Sequence, residues 1–228
     1  MRLAAGVLPV TLLVCALPAA GQPERDRVVF QDDFKTGLSP KWKAVGLKPE
    51  DFRVRDGGVE MRVRPGKLGA DTPMLKVTLP LAATDSFIGS VKVTPLTEFT
   101  ADGETAGLFF LDDTGWEFAA KKERVGGKTV FAPGKYRFAG RPGEEGDPAK
   151  YTVAYDPAAR EAGPLRIIVS QGYAFFQVGP SAGGEYKNYF HSAIRREAGD
   201  RGFGLAAAGA PPGADHWVRF EQFRVTRD

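Results

Sequence analysis

The sequence has 228 residues, 43% of them hydrophobic, 11% aromatic and 26% charged, with a formal net charge of +3. That balance excludes a disordered chain, a collagen-like repeat and a multi-span membrane protein. The 28 glycines and 17 prolines are spread as short punctuation, as expected of many short strands joined by turns.

Met1-Arg2 leads into an apolar run from Leu3 to about Leu17, then Ala19-Ala20-Gly21 and the polar Gln22. A charged start, a short apolar stretch and a small-residue cleavage site predict a secretory signal peptide over residues 1–21 and a periplasmic or extracellular protein. The run is short and broken by Pro9 and Pro18, so it does not read as a bilayer span, and no membrane insertion is expected. Val14 stands before Cys15 where a lipidation motif wants a small residue. Cleavage after Gly21 removes Cys15, the only cysteine, so the domain over 22–228 must fold without a disulfide. At ~200 residues it buries enough surface to do so.

Period-2 alternation dominates the chain beyond residue 21. Phe52 and Val54 alternate with Arg53 and Arg55; Asp56-Gly57-Gly58 turns the chain; Val59, Met61 and Val63 then alternate with Glu60, Arg62 and Arg64. This predicts a hairpin with one wet face. Further strands are expected at 74–79, 87–94, 106–111, 116–122, 128–131, 136–139, 151–155, 165–170, 174–178, 203–207 and 217–226, with a turn or two of helix near Ser192–Ala198. Leu108-Phe109-Phe110-Leu111 is apolar on both faces and should be central. Val218 and Phe220 share one phase while Phe223 and Val225 share the other, which predicts a β-bulge near Glu221-Gln222. The expected fold is all-β: a single-domain, two-sheet antiparallel jelly-roll-like sandwich. Val54, Met61, Leu108, Phe110, Phe203, Leu205, Phe220 and Val225 are its expected core.

Three segments resemble secreted members of the concanavalin A-like lectin/glucanase superfamily. They are Phe30-Gln31-Asp32-Asp33-Phe34 with Leu38 and Trp42; Phe52-Arg53-Val54-Arg55-Asp56-Gly57-Gly58-Val59; and Gly202-Phe203-Gly204-Leu205 with Val218-Arg219-Phe220-Glu221-Gln222-Phe223-Arg224-Val225. Members built this way include the C-terminal domain of family 43 glycoside hydrolases and the 3-keto-disaccharide hydrolase domain. The resemblance implies a fold and leaves open whether the chain is a glycoside hydrolase with an atypical site, a glycan-recognition domain or a structural domain.

The glucanase Glu-x-Asp-x-x-Glu strand, with its paired carboxylates on one face, is absent. The acidic run Glu144-Glu145-Gly146-Asp147 lies among glycines and prolines and reads as a solvated loop. His191 and His216 are the only histidines, and neither neighbours a nucleophile motif. His216 is expected to pack or cap the start of the last strand. No catalytic residue and no cofactor is assigned. Calcium is the one metal that arises, through the resemblance, on Asp32, Asp33 and Asp215; adjacent strand residues point to opposite faces, which favours plain surface carboxylates.

Charges of both signs are interspersed, so no nucleic-acid partner is expected. The expected partner is a glycan or polysaccharide, met by a monomer. Carbohydrate sites on sheets combine aromatic faces with planar polar groups. Tyr186, Asn188, Tyr189 and His191 form the densest such group, with Trp116 as a further candidate. On a regular strand Tyr186, Asn188 and Phe190 would face one way, and Lys187, Tyr189 and His191 the other.

Overall fold

A computed structural model describes residues 28–227 except 69–71, 83–84, 112–115, 138–162, 180–184 and 194–200; at 116–117, 135–137, 189–190 and 192–193 the backbone alone is described. The described residues form the strands β1 (Val28–Asp32), β2 (Trp42–Val45), β3 (Phe52–Arg55), β4 (Gly58–Arg62), β5 (Met74–Leu79), β6 (Phe87–Pro95), β7 (Thr105–Leu111), β8 (Trp116–Val125), β9 (Lys128–Phe131), β10 (Gly134–Arg137), β11 (Leu165–Ser170), β12 (Tyr173–Val178), β13 (Lys187–Ala193), β14 (Arg201–Ala208) and β15 (Trp217–Arg227). No helix among the described residues is long and apolar enough to cross a membrane. The expected strand at 151–155 and most of the expected helical turn lie outside the described residues; Ser192 and Ala193 belong to β13.

Two antiparallel sheets face each other. The larger runs β13-β12-β11-β6-β15-β4-β3, with β1 also on β15; the smaller runs β10-β8-β7-β14-β5-β2, with β9 also on β8. β6 pairs with β15 along its length, while β4 takes the first half of the other edge and β1 the second. The predicted bulge sits at that handover: register shifts between Glu221 and Arg224, and Gln222 has φ +55°. The extra residue lets Val218 and Phe220, then Phe223 and Val225, all point inward. At the β3–β4 hairpin, Asp56 (φ +51°) and Gly57 (φ +72°) supply the left-handed pair that a tight two-residue turn demands.

The sheets close on a phenylalanine-rich core. Phe87, Phe110 and Phe203 are fully buried, with mutual ring centroids 5.6–6.0 Å apart. A Cβ at Gly89 on β6 would come within 2.3 Å of the Phe203 ring, so a bare backbone there lets the opposite sheet approach. Central β7 is buried along its whole length, as its two-faced apolarity requires. Its outward Phe109 and Leu111 join Met74, Ala119 and Ala206 in a second cluster.

Two expectations need correction. Val54 is half-buried rather than buried, because β3 is an edge strand. Glu60, expected on a wet face, is 1% exposed. Cross-strand neighbours Arg53 and Arg219 cover it, at 2.6 and 2.5 Å from its carboxylate.

Candidate functional site: the outer face of the larger sheet

Strand alternation decides which side chains reach this face. On β11 and β12, Leu165, Ile167, Val169, Ala174, Phe176 and Val178 enter the core, leaving Arg166, Ile168, Ser170, Tyr173, Phe175 and Gln177 outside. On β6 the same logic exposes Ile88, Ser90 and Lys92, and past the bulge on β15 it exposes Arg224 and Thr226.

β13 corrects the regular-strand expectation. Phe176 pairs with Phe190 but Gln177 pairs with Asn188, so Tyr189 is the extra residue of a bulge. Asn188 is therefore in phase with Gln177, and His191 with Phe175, on one outward face instead of two. Both are exposed.

Register then aligns two rows across the strands. One reads Thr226, Ile88, Ile168, Phe175 and His191; the other reads Gln31, Arg224, Ser90, Arg166, Gln177 and Asn188. The first is mainly apolar and the second wholly polar. Neighbouring members sit one strand spacing apart, ~4.8 Å, and the rows lie two residues apart, ~7 Å, along β15, β6, β11 and β12, and three residues apart along bulged β13. Tyr173, 46% exposed, extends the aromatic end, with its ring 6.4 Å from Phe175 and 6.3 Å from His191. Phe175 and His191 rings are 6.0 Å apart.

Tyr186, just before β13, stands differently. The Arg166 guanidinium lies 3.5 Å from its ring centroid, and its ring packs where a Cβ on Gly179 would otherwise be. One face of Tyr186 thus carries an arginine. Tyr189 contributes its backbone to the bulge, and its side chain lies outside the described residues. Trp116 opens β8 in the smaller sheet, opposite Arg137, so it stands on a different sheet from the other four. Sequence reasoning missed Phe175, Gln177, Arg166 and Ser90 as companions of Asn188 and His191, because only register brings β6, β11, β12 and β13 into line.

Farther along the face, Trp217 lies between the Arg53 and Arg62 guanidinium groups, at 4.1 and 5.1 Å, and donates its indole N–H to Asp215 at 2.8 Å. Burial pushes the Glu60 carboxyl up, but hydrogen bonds from Arg219 and Arg53 outweigh it, leaving the group below the usual carboxylate range. Arg219 is raised in return, chiefly by that hydrogen bond.

The carboxylates weighed for calcium are not assembled. Asp32 accepts N–H groups from Phe34, Ser39 and Trp42 at 2.9–3.0 Å; Asp33 pairs with Lys35; Asp215 lies beyond the other end of β15 from Asp32's partner Phe223. His216 caps as expected: its carbonyl accepts the Val63 N–H at 2.8 Å, and its Nδ1 meets the buried Glu104 carboxylate at 2.5 Å. The acidic run 144–147 lies outside the described residues.

No family model matches the chain. A 3-phosphoshikimate 1-carboxyvinyltransferase of Paraburkholderia phytofirmans is 28% identical over 135 residues, which is 51% of this chain and only 29% of that protein. Among solved structures, a xyloglucan-locus GH43B of Bacteroides ovatus superposes with a TM-score of 0.61 at 17% identity, covering 94% of this chain and 42% of that one. Xylan β-1,4-xylosidase of Bacillus halodurans gives 0.65 at 14% identity, covering 94% and 41%. The CBM2 module of the evolved Dit of Lactobacillus casei BL23 phage J-1 gives 0.60 at 12%, covering 88% and 95%. The chain thus has the β-sandwich found in GH43 glycoside hydrolase chains, and spans less than half of the length of the Bacteroides and Bacillus proteins.

Proposed function

We propose that the chain is an exported, monomeric, non-catalytic carbohydrate-recognition domain whose ligand lies on the outer face of the larger sheet. The observation that carries this reading is the pair of adjacent rows there. Pyranose rings carry an apolar C–H face and a rim of hydroxyls, and a strip of apolar side chains beside a strip of planar polar ones answers both. One strand spacing is close to the length a pyranose adds to an extended chain. The fold shared with GH43 chains and a CBM2 module agrees with a carbohydrate role. Asn188 and Gln177 would take hydroxyls, and Phe175, Tyr173 and His191 would back the ring.

Titration of polysaccharides into residues 22–228 tests this, with Phe175→Ala, Tyr173→Ala and Asn188→Ala as variants. Losing one hydrogen bond should weaken binding by about 0.5–1.5 kcal/mol. Variants that stay folded and bind as wild type, or release of reducing sugar by the wild type, would overturn it.

A further inference from the structure

Resting on that carbohydrate-recognition role, we infer that Tyr186 is a positioning residue of the site. Its ring carries no sugar. It holds the Arg166 guanidinium in place, and Arg166 donates hydrogen bonds to an oxygen of the glycan.

The path of the ring is the first observation. Tyr186 stands just before β13 and Arg166 on β11, with β12 between them. The ring therefore reaches across the end of β12, and it passes Gly179, the residue after that strand. A Cβ on Gly179 would lie only 2.8 and 2.9 Å from Cε1 and Cζ of the ring. Gly179 does not have a left-handed backbone, so what glycine provides here is room for the ring, not a turn. On the ring lies the guanidinium of Arg166, its carbon 3.5 Å from the centroid. One face of Tyr186 is thus taken by a cation, and its near side is closed by Gly179.

Arg166 itself is unspent. It stands in the polar row between Ser90 and Gln177. Among the described residues no carboxylate lies within ion-pair distance of it, and its Nε has no hydrogen-bond partner. A guanidinium stacked on an aromatic ring engages the ring through its flat face, which leaves the N–H groups around its rim to donate. The ring therefore orients the fork before a ligand arrives, and binding then loses less side-chain freedom.

The test is titration of the protein with arabinoxylan, galactomannan, arabinogalactan and polygalacturonate, a panel of neutral and acidic polymers. For a polymer that binds, Arg166→Gln should weaken binding about tenfold, the loss of a charge-assisted hydrogen bond. Tyr186→Leu should weaken it about three- to fivefold, and Tyr186→Phe, which keeps the ring, should restore most of that loss. In an Arg166→Gln background, Tyr186→Leu should cost less than about twofold, because the ring acts only through the arginine. Gly179→Ala pushes the ring aside without touching the arginine and should reproduce the Tyr186→Leu loss; urea unfolding checks that each variant is folded. Equal losses from Tyr186→Leu in both backgrounds show that the ring touches sugar itself and overturn the positioning role. Wild-type binding by Arg166→Gln, with Phe175→Ala still weakened, overturns it too and leaves carbohydrate recognition standing. Binding to no polymer overturns both.

Discussion

Asp32 joins the two sheets through Trp42. The carboxylate stands at the end of β1 in the larger sheet and accepts the indole N–H of Trp42, on β2 of the smaller one, at 3.0 Å. The same carboxylate accepts the backbone N–H groups of Phe34 and Ser39, so it also shapes the connection between the strands. The indole is packed edge-on against Phe223 at 4.8 Å and against Phe30 at 5.9 Å. The opening motif is thus a structural lock. Asp32→Ala strands three N–H donors and should cost about 2–4 kcal/mol, read from urea unfolding. Trp42→Phe keeps the ring and loses one donor, so its cost should be smaller. A silent Asp32→Ala would refute the lock.

Gly89 predicts a second effect. Alanine in a strand is ordinarily no worse than glycine. Here its methyl group would enter the Phe203 ring, so Gly89→Ala should destabilise by about 1–3 kcal/mol. Combining it with Phe203→Leu should cost less than the sum of the single changes, a coupling that a double-mutant cycle in urea measures directly.

These cases show what the sequence makes legible. The bulge at Gln222 could be read because apolar residues flank it on both sides and their phase visibly breaks. The bulge at Tyr189 could not: Tyr186 to His191 mixes rings and polar groups at every position, so no hydrophobic phase exists to break. Asn188 and His191 were therefore legible as residue types and not as one surface. Arg166, Ser90 and Gln177 were invisible as companions because sequence alternation gives facing but never inter-strand register. Glu60 was misread for the same reason, since its two arginine partners come from β3 and β15.

Lys121 makes stability depend on pH. It lies on β8, 1% exposed, and burial pulls its ammonium down to about 7 from the ordinary 10.5. Contact with the Glu123 carboxylate offsets part of that burial cost. With the folded value below the unfolded one, the unfolded chain holds the extra proton between about pH 7 and 10.5. Stability therefore rises with pH across that window, and below it the full cost of burying the charge is present. Lys121→Met should be more stable than wild type at pH 7, with the advantage shrinking towards pH 10. Urea midpoints across this range decide it: an advantage that does not change with pH would show that Lys121 titrates as an exposed lysine.

The register of β12 on β13 can be tested covalently. Phe175 and His191 are directly opposite partners on the outward face. Opposed residues of an antiparallel pair have Cα atoms ~4.5 or ~5.5 Å apart. Both spacings fall within the usual ~4.4–6.8 Å span of a disulfide. Cys15 is the only native cysteine, so a chain from residue 22 offers no competing thiol. Phe175→Cys with His191→Cys should oxidise readily to an intramolecular disulfide, and so should Gln177→Cys with Asn188→Cys. Both pairs can succeed only if one extra residue intervenes on β13, because three positions there span two on β12. In a regular ladder that kept Gln177 opposite Asn188, Phe175 would instead face Phe190. Phe175→Cys with Phe190→Cys is therefore the discriminating control, and its oxidation in preference to the His191 pair would remove the bulge and separate Asn188 from His191. Mass measurement with and without reductant reads the outcome.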